Sequence, residues 1–158
     1  MSGRLSLPAK DWGVVLNLPG FAVRVVETKP EGRRYMVAEN ETTNVMVSLT
    51  LKQIKPGTPA SSCRESLEKK TKNTPLKIQD VHFSRSGDVD VMQYVVPEFR
   101  GQRVNQESMF ACQIYDNTYI DLHVSKVNYV TADEPLFAGV LNSMHIDKVQ
   151  RSSVELVE

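Results

Sequence analysis

The sequence predicts an α+β domain in which a mostly antiparallel β-sheet is flanked by helices. Three observations lead to this fold class: about eight short runs of alternating apolar and polar residues, short turns between most of them, and two segments with helical spacing. Strands joined by short turns pair antiparallel, because parallel neighbours need a long crossover connection. The 158 residues contain no repeat and no linker, so we expect one domain over residues 1–158, with a core over about 12–146 and a polar tail over 147–158.

The N-terminal third of the chain predicts four strands. They are alternating runs separated by turns or polar loops, and they span residues 12–18, 21–27, 34–40 and 44–54. In the fourth run Val47, Leu49 and Leu51 alternate with mostly polar residues, which is typical of a half-buried strand. Trp12 is the single tryptophan and opens the first run, so we expect it to fill the core or the sheet edge rather than to bind a partner.

Two segments have the spacing and end signals of helices. The first begins either at Thr58, an N-cap followed by proline, or at Ser62, which forms a capping box with Glu65. It runs to about residue 72 and turns Cys63 and Leu67 inward. The second opens at residues 133–135, and its apolar side chains follow the three-and-four spacing of an amphipathic helix: Leu136, Phe137, Val140, Leu141 and Met144. The residue pattern places both helices over one face of the sheet.

The clearest pattern in the chain is a hairpin over residues 109–124. Apolar runs flank a polar turn at residues 116–118, as in two antiparallel strands joined by a tight connection. In the second run Ile120, Leu122 and Val124 face the core, because side chains alternate along a strand. The first strand of the hairpin extends back to residue 104. Two earlier strands are predicted at residues 77–84 and 89–96, followed by an exposed loop at residues 97–103.

Cys63 and Cys112 are the only cysteines, and their number and spacing argue against a disulfide-rich scaffold and a paired-cysteine zinc site. Three alternatives stay open: two buried thiols, a single disulfide in an exported protein, or a reactive thiol. Cys112 shares its strand face with Phe110 and Ile114. A helix across this face brings the two sulfurs within bonding reach only if the Cα atoms are closer than about 7 Å.

Composition and charge argue against two classes of binding protein. The 19 basic residues balance 19 acidic ones, so the chain lacks the positive excess of a nucleic-acid binder or a polybasic membrane anchor. No window approaches the roughly 18 apolar residues that span a bilayer, and the first residues lack the apolar segment of a signal peptide. We therefore expect a soluble protein of the cytoplasm, or of an export compartment if a leader was removed from the natural chain.

Tyr119, Asp121 and His123 share the outward side of the best-defined strand and form the first candidate site. Alternate positions bring the carboxylate and the imidazole within about 7 Å, close enough to share a metal ion or a proton. We interpret this face as an exposed polar sheet surface. A partner-binding surface, or a metal or catalytic site completed by a third ligand from a neighbouring strand, are the alternatives. His82 is expected to face solvent and His145 to end the second helix.

Phe99, Arg100 and Arg103 form the second candidate site, within the predicted loop at residues 97–103. Two arginines beside an exposed aromatic side chain can recognise an anion or hold a partner protein, although loop arginines are also common as solvated surface. The chain has no catalytic nucleophile motif, no phosphate-binding glycine loop and no metal-ligand motif. We therefore expect no catalytic residues and no cofactor.

Several stretches, taken with the order of the elements, match a known fold family. They are a tryptophan-led strand ending in LPGF at residues 18–21, VSL at 47–49, a helix after a proline-rich break, YIDLHVS at 119–125, and a closing helix with LF at 136–137 and LNSM at 141–144. In this order they resemble the Mog1/PsbP-like family over residues 12–146. The resemblance implies an α/β/α sandwich around an antiparallel sheet. Characterised members include photosystem extrinsic subunits, a Ran-binding nuclear import factor and bacterial envelope proteins, so the resemblance does not carry over one function. It implies a bacterial member whose function is unknown.

Three functional hypotheses follow from the residues and the resemblance, one of which is a purely structural domain of an export compartment with a disulfide between Cys63 and Cys112. The first is a non-enzymatic protein-binding or accessory module, because family members with known roles mostly act without catalysis. Its partner is an unidentified protein, and no nucleic-acid partner or membrane insertion is expected. The alternative is a small metal-binding or hydrolytic domain centred on Asp121 and His123, which requires a third convergent ligand.

Overall fold

A computed structural model describes residues 1–148, which contain ten β-strands and two α-helices. The strands are β1 (Ser2–Leu5), β2 (Gly13–Asn17), β3 (Ala22–Lys29), β4 (Arg33–Asn40), β5 (Val45–Gln53), β6 (Gln79–Ser86), β7 (Val89–Phe99), β8 (Gln102–Tyr115), β9 (Thr118–Lys126) and β10 (His145–Asp147). The helices are α1 (Ser62–Asn73) and α2 (Glu134–Ser143), the second preceded by a 3-10 turn at Thr131–Asp133. Of the predicted polar tail, all but Asp147 and Lys148 lies outside the described residues.

The strands form two antiparallel sheets. The large sheet has seven strands in the order β3-β4-β5-β9-β8-β7-β6, and the small sheet has three in the order β1-β2-β10. Every strand pair among residues 1–148 is antiparallel, which confirms the predicted α+β class. The best-defined hairpin of the sequence, β8–β9, supplies the central strand β9 and its neighbour.

The two helices lie on opposite faces of the large sheet. On β8, Met109 and Ala111 pack in the main core with Phe137 of α2, while Cys112 packs with Leu67 of α1. Because neighbouring residues of a strand point to opposite faces, the two helices are on opposite sides. The prediction of both helices over one face is therefore wrong, and the α/β/α layering implied by the family resemblance is present. The small sheet lies on the α2 side.

The sequence predicts that the core starts at about residue 12, but in the structure the core begins earlier. Strand β1 pairs with β2, and Leu5 and Leu7 are buried against the main core. Trp12 itself is 3% exposed and donates a hydrogen bond from Nε1 to Asp116 Oδ2 at 2.7 Å. Its ring meets that of Tyr115 edge-on with centroids 5.0 Å apart. Trp12 therefore fills the core, as expected, and ties the N-terminal segment to the β8–β9 turn.

Tight turns connect the central hairpins. Strands β8 and β9 are joined by two residues, Asp116 and Asn117, with φ of 47° and 54°, as in the primed turns that match strand twist. The loop predicted at residues 97–103 is instead a second two-residue hairpin turn at Arg100 and Gly101, both with positive φ. Pro97 marks a register shift in β7 rather than a loop, since a bulge accommodates a residue that cannot donate to the ladder.

The helix ends differ from the predicted signals in detail. Helix α1 follows Ser61, so neither Thr58 nor Ser62 is its N-cap. Cys63 and Leu67 are buried on its inner side, as predicted. Helix α2 ends at Ser143, and His145 lies in β10 rather than in the last helical turn, because the backbone is already extended at residue 144. Neither helix is long and apolar enough to cross a membrane.

Candidate functional site

A polar pocket of about 350 Å³ lies on the α1 side of the large sheet. We call it the sheet pocket. It is open because α1 lies mainly over β7 and β8, which leaves β4 and β5 uncovered on this side. Its lining residues are Arg33, Ser48, Thr50, Lys52, Lys70, Phe110, Asp121, Leu122 and His123. The pocket thus contains two of the three residues of the first candidate site.

Strand alternation and register build the floor of the sheet pocket. Leu49 and Leu51 of β5 face the core, so the alternate residues of this strand, Ser48, Thr50 and Lys52, face the pocket. Across the β5–β9 pair, Ser48 is opposite His123 and Thr50 is opposite Asp121. The sequence predicted an exposed face here, but both β9 side chains are half-buried. Phe110 and the adjacent helix α1 cover them from one side.

His123 is a neutral, aromatic-stacked imidazole at neutral pH. Its ring lies parallel to that of Phe110, with centroids 4.1 Å apart and planes 6° from parallel. Burial, with a smaller contribution from the Lys70 charge, lowers the pKa of His123 to about 4. Its Nε2 atom is buried and has no hydrogen-bond partner among residues 1–148. Buried polar atoms without a partner are rare in proteins, so Nε2 is free to hydrogen-bond a water molecule or a ligand in the pocket.

The pKa of Asp121 is subject to two opposing influences, burial of its side chain and the charges of two lysines. Burial raises its pKa, while the charges of Lys70 and Lys52 lower it. On the other side of β9 its cross-strand neighbour is Cys112. Asp121 is the only carboxylate among the residues that line the sheet pocket.

Three cationic side chains line the sheet pocket together with this carboxylate. Arg33 and Lys52 are directly opposite each other on β4 and β5, and Lys70 reaches in from α1 to lie 5.5 Å from the Phe110 ring centroid. Arg33 pairs with Glu31 at 2.9 Å. Among the described residues neither lysine forms an ion pair. The pocket is therefore positive, although the whole chain has no net charge.

The geometry does not favour a metal-binding or hydrolytic centre at Asp121 and His123. Residues 1–148 contain no group of three His, Cys, Asp or Glu side chains arranged to hold a metal ion. The third ligand that this hypothesis requires is absent from that part of the chain, and the surrounding cations oppose a metal ion electrostatically. Tyr119 does not line the pocket and packs instead against the smaller core under α1.

A disulfide between Cys63 and Cys112 fixes the wall of the sheet pocket. The Cα atoms are 5.5 Å apart, and both residues are buried. The bridge attaches α1 to β8 at Cys112, which is directly opposite Asp121 in the β8–β9 pair. Lys70 follows Cys63 by seven residues, or two helical turns, so both are on the same face of α1. The bridge therefore positions Lys70 over the pocket.

Phe99, Arg100 and Arg103 come together at the tip of the β7–β8 hairpin, as the second candidate site requires. Phe99 is 46% exposed, and the Arg100 guanidinium carbon lies 5.2 Å from its ring centroid. A cavity of about 590 Å³ lies between this tip and the segment after α1, and we call its lining the hairpin-tip surface. Its residues are Pro75, Leu76, Lys77, Gln79, Pro97, Glu98, Phe99, Arg100, Gly101 and Arg103. Sequence reasoning missed residues 75–79, because nothing local places them beside the hairpin.

An apolar groove of about 460 Å³ between α2 and the β2–β3 turn carried no sequence signal at all. Much of its wall is formed by Leu18, Phe21, Val45 and Leu136. At Gly139 no other group fills the space that a side chain would occupy. Each residue belongs to an apolar pattern that also predicts burial. The cavity depends on how distant elements meet, which the pattern does not encode.

Comparison with known proteins identifies the fold. No protein-family model and no curated protein sequence matches the chain. Among solved structures, the chain is similar to the solution structure of cyanobacterial PsbP (CyanoP) from Synechocystis sp. PCC 6803, with a TM-score of 0.60 and 12% sequence identity over 92% of both chains. Together with the antiparallel sheet between two helical layers, this likeness shows that the chain has the PsbP-like fold that its sequence predicted.

Proposed function

We propose that this protein is a non-enzymatic binding module that contacts another protein through the hairpin-tip surface. The observation that carries the proposal is the exposed Phe99 ring beside the Arg100 guanidinium, next to a cavity that Arg103 also lines. Five large apolar side chains among residues 1–148 are exposed, and Phe99 is the only aromatic one. Aromatic residues and arginine are the side chains most enriched in the energetic centres of protein interfaces.

The hairpin presents these groups in a fixed arrangement. Phe99 pairs with Gln102, and Glu98 pairs with Arg103, on either side of the two-residue turn. A surface that is already ordered loses less conformational entropy on binding than a flexible loop. The hairpin-tip surface has three positive side chains, Lys77, Arg100 and Arg103, and one negative side chain, Glu98. The surface therefore fits a partner with an apolar anchor point flanked by acidic groups.

The PsbP-like fold supports an accessory role but does not specify one, because one fold hosts many functions. Because the chain's sequence identity with CyanoP is only 12%, that comparison supports the fold and not a function. The proposal therefore depends on the hairpin-tip surface of this chain, and it is tested there.

We expect the triple variant Phe99→Ala, Arg100→Ala, Arg103→Ala to lose partner binding by at least about 30-fold, since even one interface anchor of this type costs roughly 2 kcal/mol when truncated. Tagged wild-type protein would first be used to capture the partner from an extract of its source cells. The dissociation constants of the purified partner with the wild type and the variants would then be measured by biolayer interferometry.

Val130→Ala is the matched control, because Val130 is 59% exposed and lies outside the hairpin-tip surface. It should bind the partner as wild type does, and circular dichroism should show that both variants remain folded. Equal affinity of the triple variant and the wild type would contradict the proposal.

A further inference from the structure

We infer that the sheet pocket binds a small oxyanion, a carboxylate or phosphate group, through Arg33, Lys52 and Lys70. No residue lines both this pocket and the hairpin-tip surface, so the inference is independent of the proposed function. Neither the fold nor the comparison assigns a ligand to this site.

The first argument is an electrostatic conflict within the free protein. Arg33 and Lys52 are cross-strand neighbours, and like charges placed directly opposite each other in a sheet are destabilising. Glu31 compensates the charge of Arg33, so the uncompensated positive charge of the pocket is on the lysines. Lys70 adds a third positive charge from α1, and the two lysines have no ion-pair partner among residues 1–148. An oxyanion in the pocket would give the lysines the charge-assisted interactions that they lack in the free protein. Arrangements that break a local stability rule are expected at functional sites.

The second argument is the hydrogen-bonding capacity of the pocket. Ser48 and Thr50 present hydroxyl groups on the strand that carries Lys52. His123 Nε2 is buried without a partner, and the ring is uncharged at neutral pH because of its lowered pKa. In the tautomer that carries its proton on Nε2, this atom donates a hydrogen bond to an acceptor. Oxygen atoms of a carboxylate or phosphate group are acceptors that all these donors can share.

The third argument is size and wall chemistry. The volume of about 350 Å³ corresponds to roughly ten water molecules at 30 Å³ each, which is ample for an organic anion of several heavy atoms. The stacked rings of Phe110 and His123 provide one flat wall. Asp121 opposes an anion and therefore limits its affinity. Replacing Asp121 by asparagine removes one like charge and keeps the shape of the side chain.

Citrate and inorganic phosphate are the free probes, and a capped peptide of four glutamates represents an acidic side chain of a partner. Binding to oxidised full-length protein would be measured at low salt and pH 7 by isothermal titration calorimetry, with NMR shifts of His123 locating the site. The variant Lys52→Ala, Lys70→Ala should lose at least about tenfold in affinity, and Asp121→Asn should gain about three- to tenfold. Added salt should weaken binding by the wild type.

Lys55→Ala, Lys69→Ala is the matched control, because it removes the same charge from exposed lysines outside the lining. Its affinity should stay within about twofold of wild type. Binding of the free anions supports a small-molecule ligand, whereas binding of the peptide alone supports an acidic group of a partner. No binding of any probe, or equal loss in both double-lysine variants, would overturn the inference.

Discussion

Breaking the Cys63–Cys112 bridge is expected to lower the free energy of unfolding by about 4 kcal/mol, the entropy that a cross-link over a loop of this length removes from the unfolded chain. The cysteines are 49 residues apart in sequence. Both side chains are buried, in the cluster that α1 forms with β7 and β8. The bridge is therefore both a constraint on the unfolded state and part of the native packing.

The effect should concentrate on α1. Cys63 and Leu67 are the only buried residues of this helix, so little apolar area holds it to the sheet once the bridge is open. Without the bridge, helix α1 is expected to open more often than the sheet beneath it. The amide hydrogens of residues 62–73 should then exchange faster in the reduced protein, while those of the central strand β9 should change little.

Urea unfolding of the oxidised protein, the reduced protein and the variant Cys63→Ala, Cys112→Ala measures the prediction. The reduced protein keeps both thiols in place, so the difference between it and the double variant isolates the packing contribution from the loss of the constraint. Thr71→Ala on the same helix is a control that leaves the bridge intact. Coincident midpoints for the oxidised and reduced proteins would show that the bridge does not constrain the fold.

The strands and hairpins could be predicted because their signals are local. Ile120, Leu122 and Val124 are all buried, as the alternation in β9 predicts. The hairpin turn at residues 116–117 is also where the polar residues place it. Side-chain alternation follows from backbone geometry within one strand, so no knowledge of distant residues is needed.

The errors occur where distant parts of the chain decide the outcome. Strand β1 exists because it pairs with β2, and four residues with one clearly apolar side chain give no strand signal alone. At residues 97–103 the proline, the glycine and the arginines predict an exposed loop, whereas a bulge accommodates Pro97 and Gly101 completes a tight turn. The glycine at the turn therefore decides the conformation of this segment, and its overall composition does not.

The candidate site could be predicted only where its signal is local. Strand alternation placed Asp121 and His123 on one face, and that face is correct. Their burial, and the approach of Lys70 and Arg33, depend on strand register and on the disulfide that attaches α1. A sequence with no visible charge excess therefore contains a positive pocket, because folding separates the charges that composition averages.

Glu107→Gln is expected to stabilise the protein at pH 8 by on the order of 3 kcal/mol, the linkage energy of the pKa shift of this carboxyl group. Glu107 is 7% exposed in β8, between Val95 of β7 and Lys126 of β9. Its Oε2 atom has no hydrogen-bond partner among residues 1–148. Lys126, the nearest cation by register, pairs with Asp133 at 3.5 Å.

Several charged groups face Glu107 and set its titration. Burial, together with the nearby carboxylates of Glu134 and Asp80, raises the pKa of Glu107 to about 7, although His82 opposes the shift. Glu134 belongs to α2 and accepts hydrogen bonds from Tyr129 and Gln93. The fold therefore holds a proton on Glu107 that the unfolded chain releases at a pKa of about 4.5.

This shift fixes the sign of the pH dependence. A carboxyl group whose pKa is raised by folding stabilises the native state below its unfolded pKa, and that contribution is lost as the pH rises to the folded pKa. Stability attributable to Glu107 should therefore fall between pH 4.5 and about 7 and stay low above that range. Glutamine remains neutral at every pH, so the variant keeps the low-pH contribution and loses this slope.

Urea unfolding at half-unit intervals from pH 4 to 8 compares wild type with Glu107→Gln and with Glu98→Gln. Glu98 lies on β7 of the same hairpin and is exposed, so its variant removes an equal charge without relieving burial. It should keep the wild-type slope. Parallel pH profiles for wild type and Glu107→Gln would mean that the carboxyl group finds water or a cation in solution. A buried carboxyl group surrounded by other acids would then impose no penalty on this fold, contrary to the physical basis of the prediction.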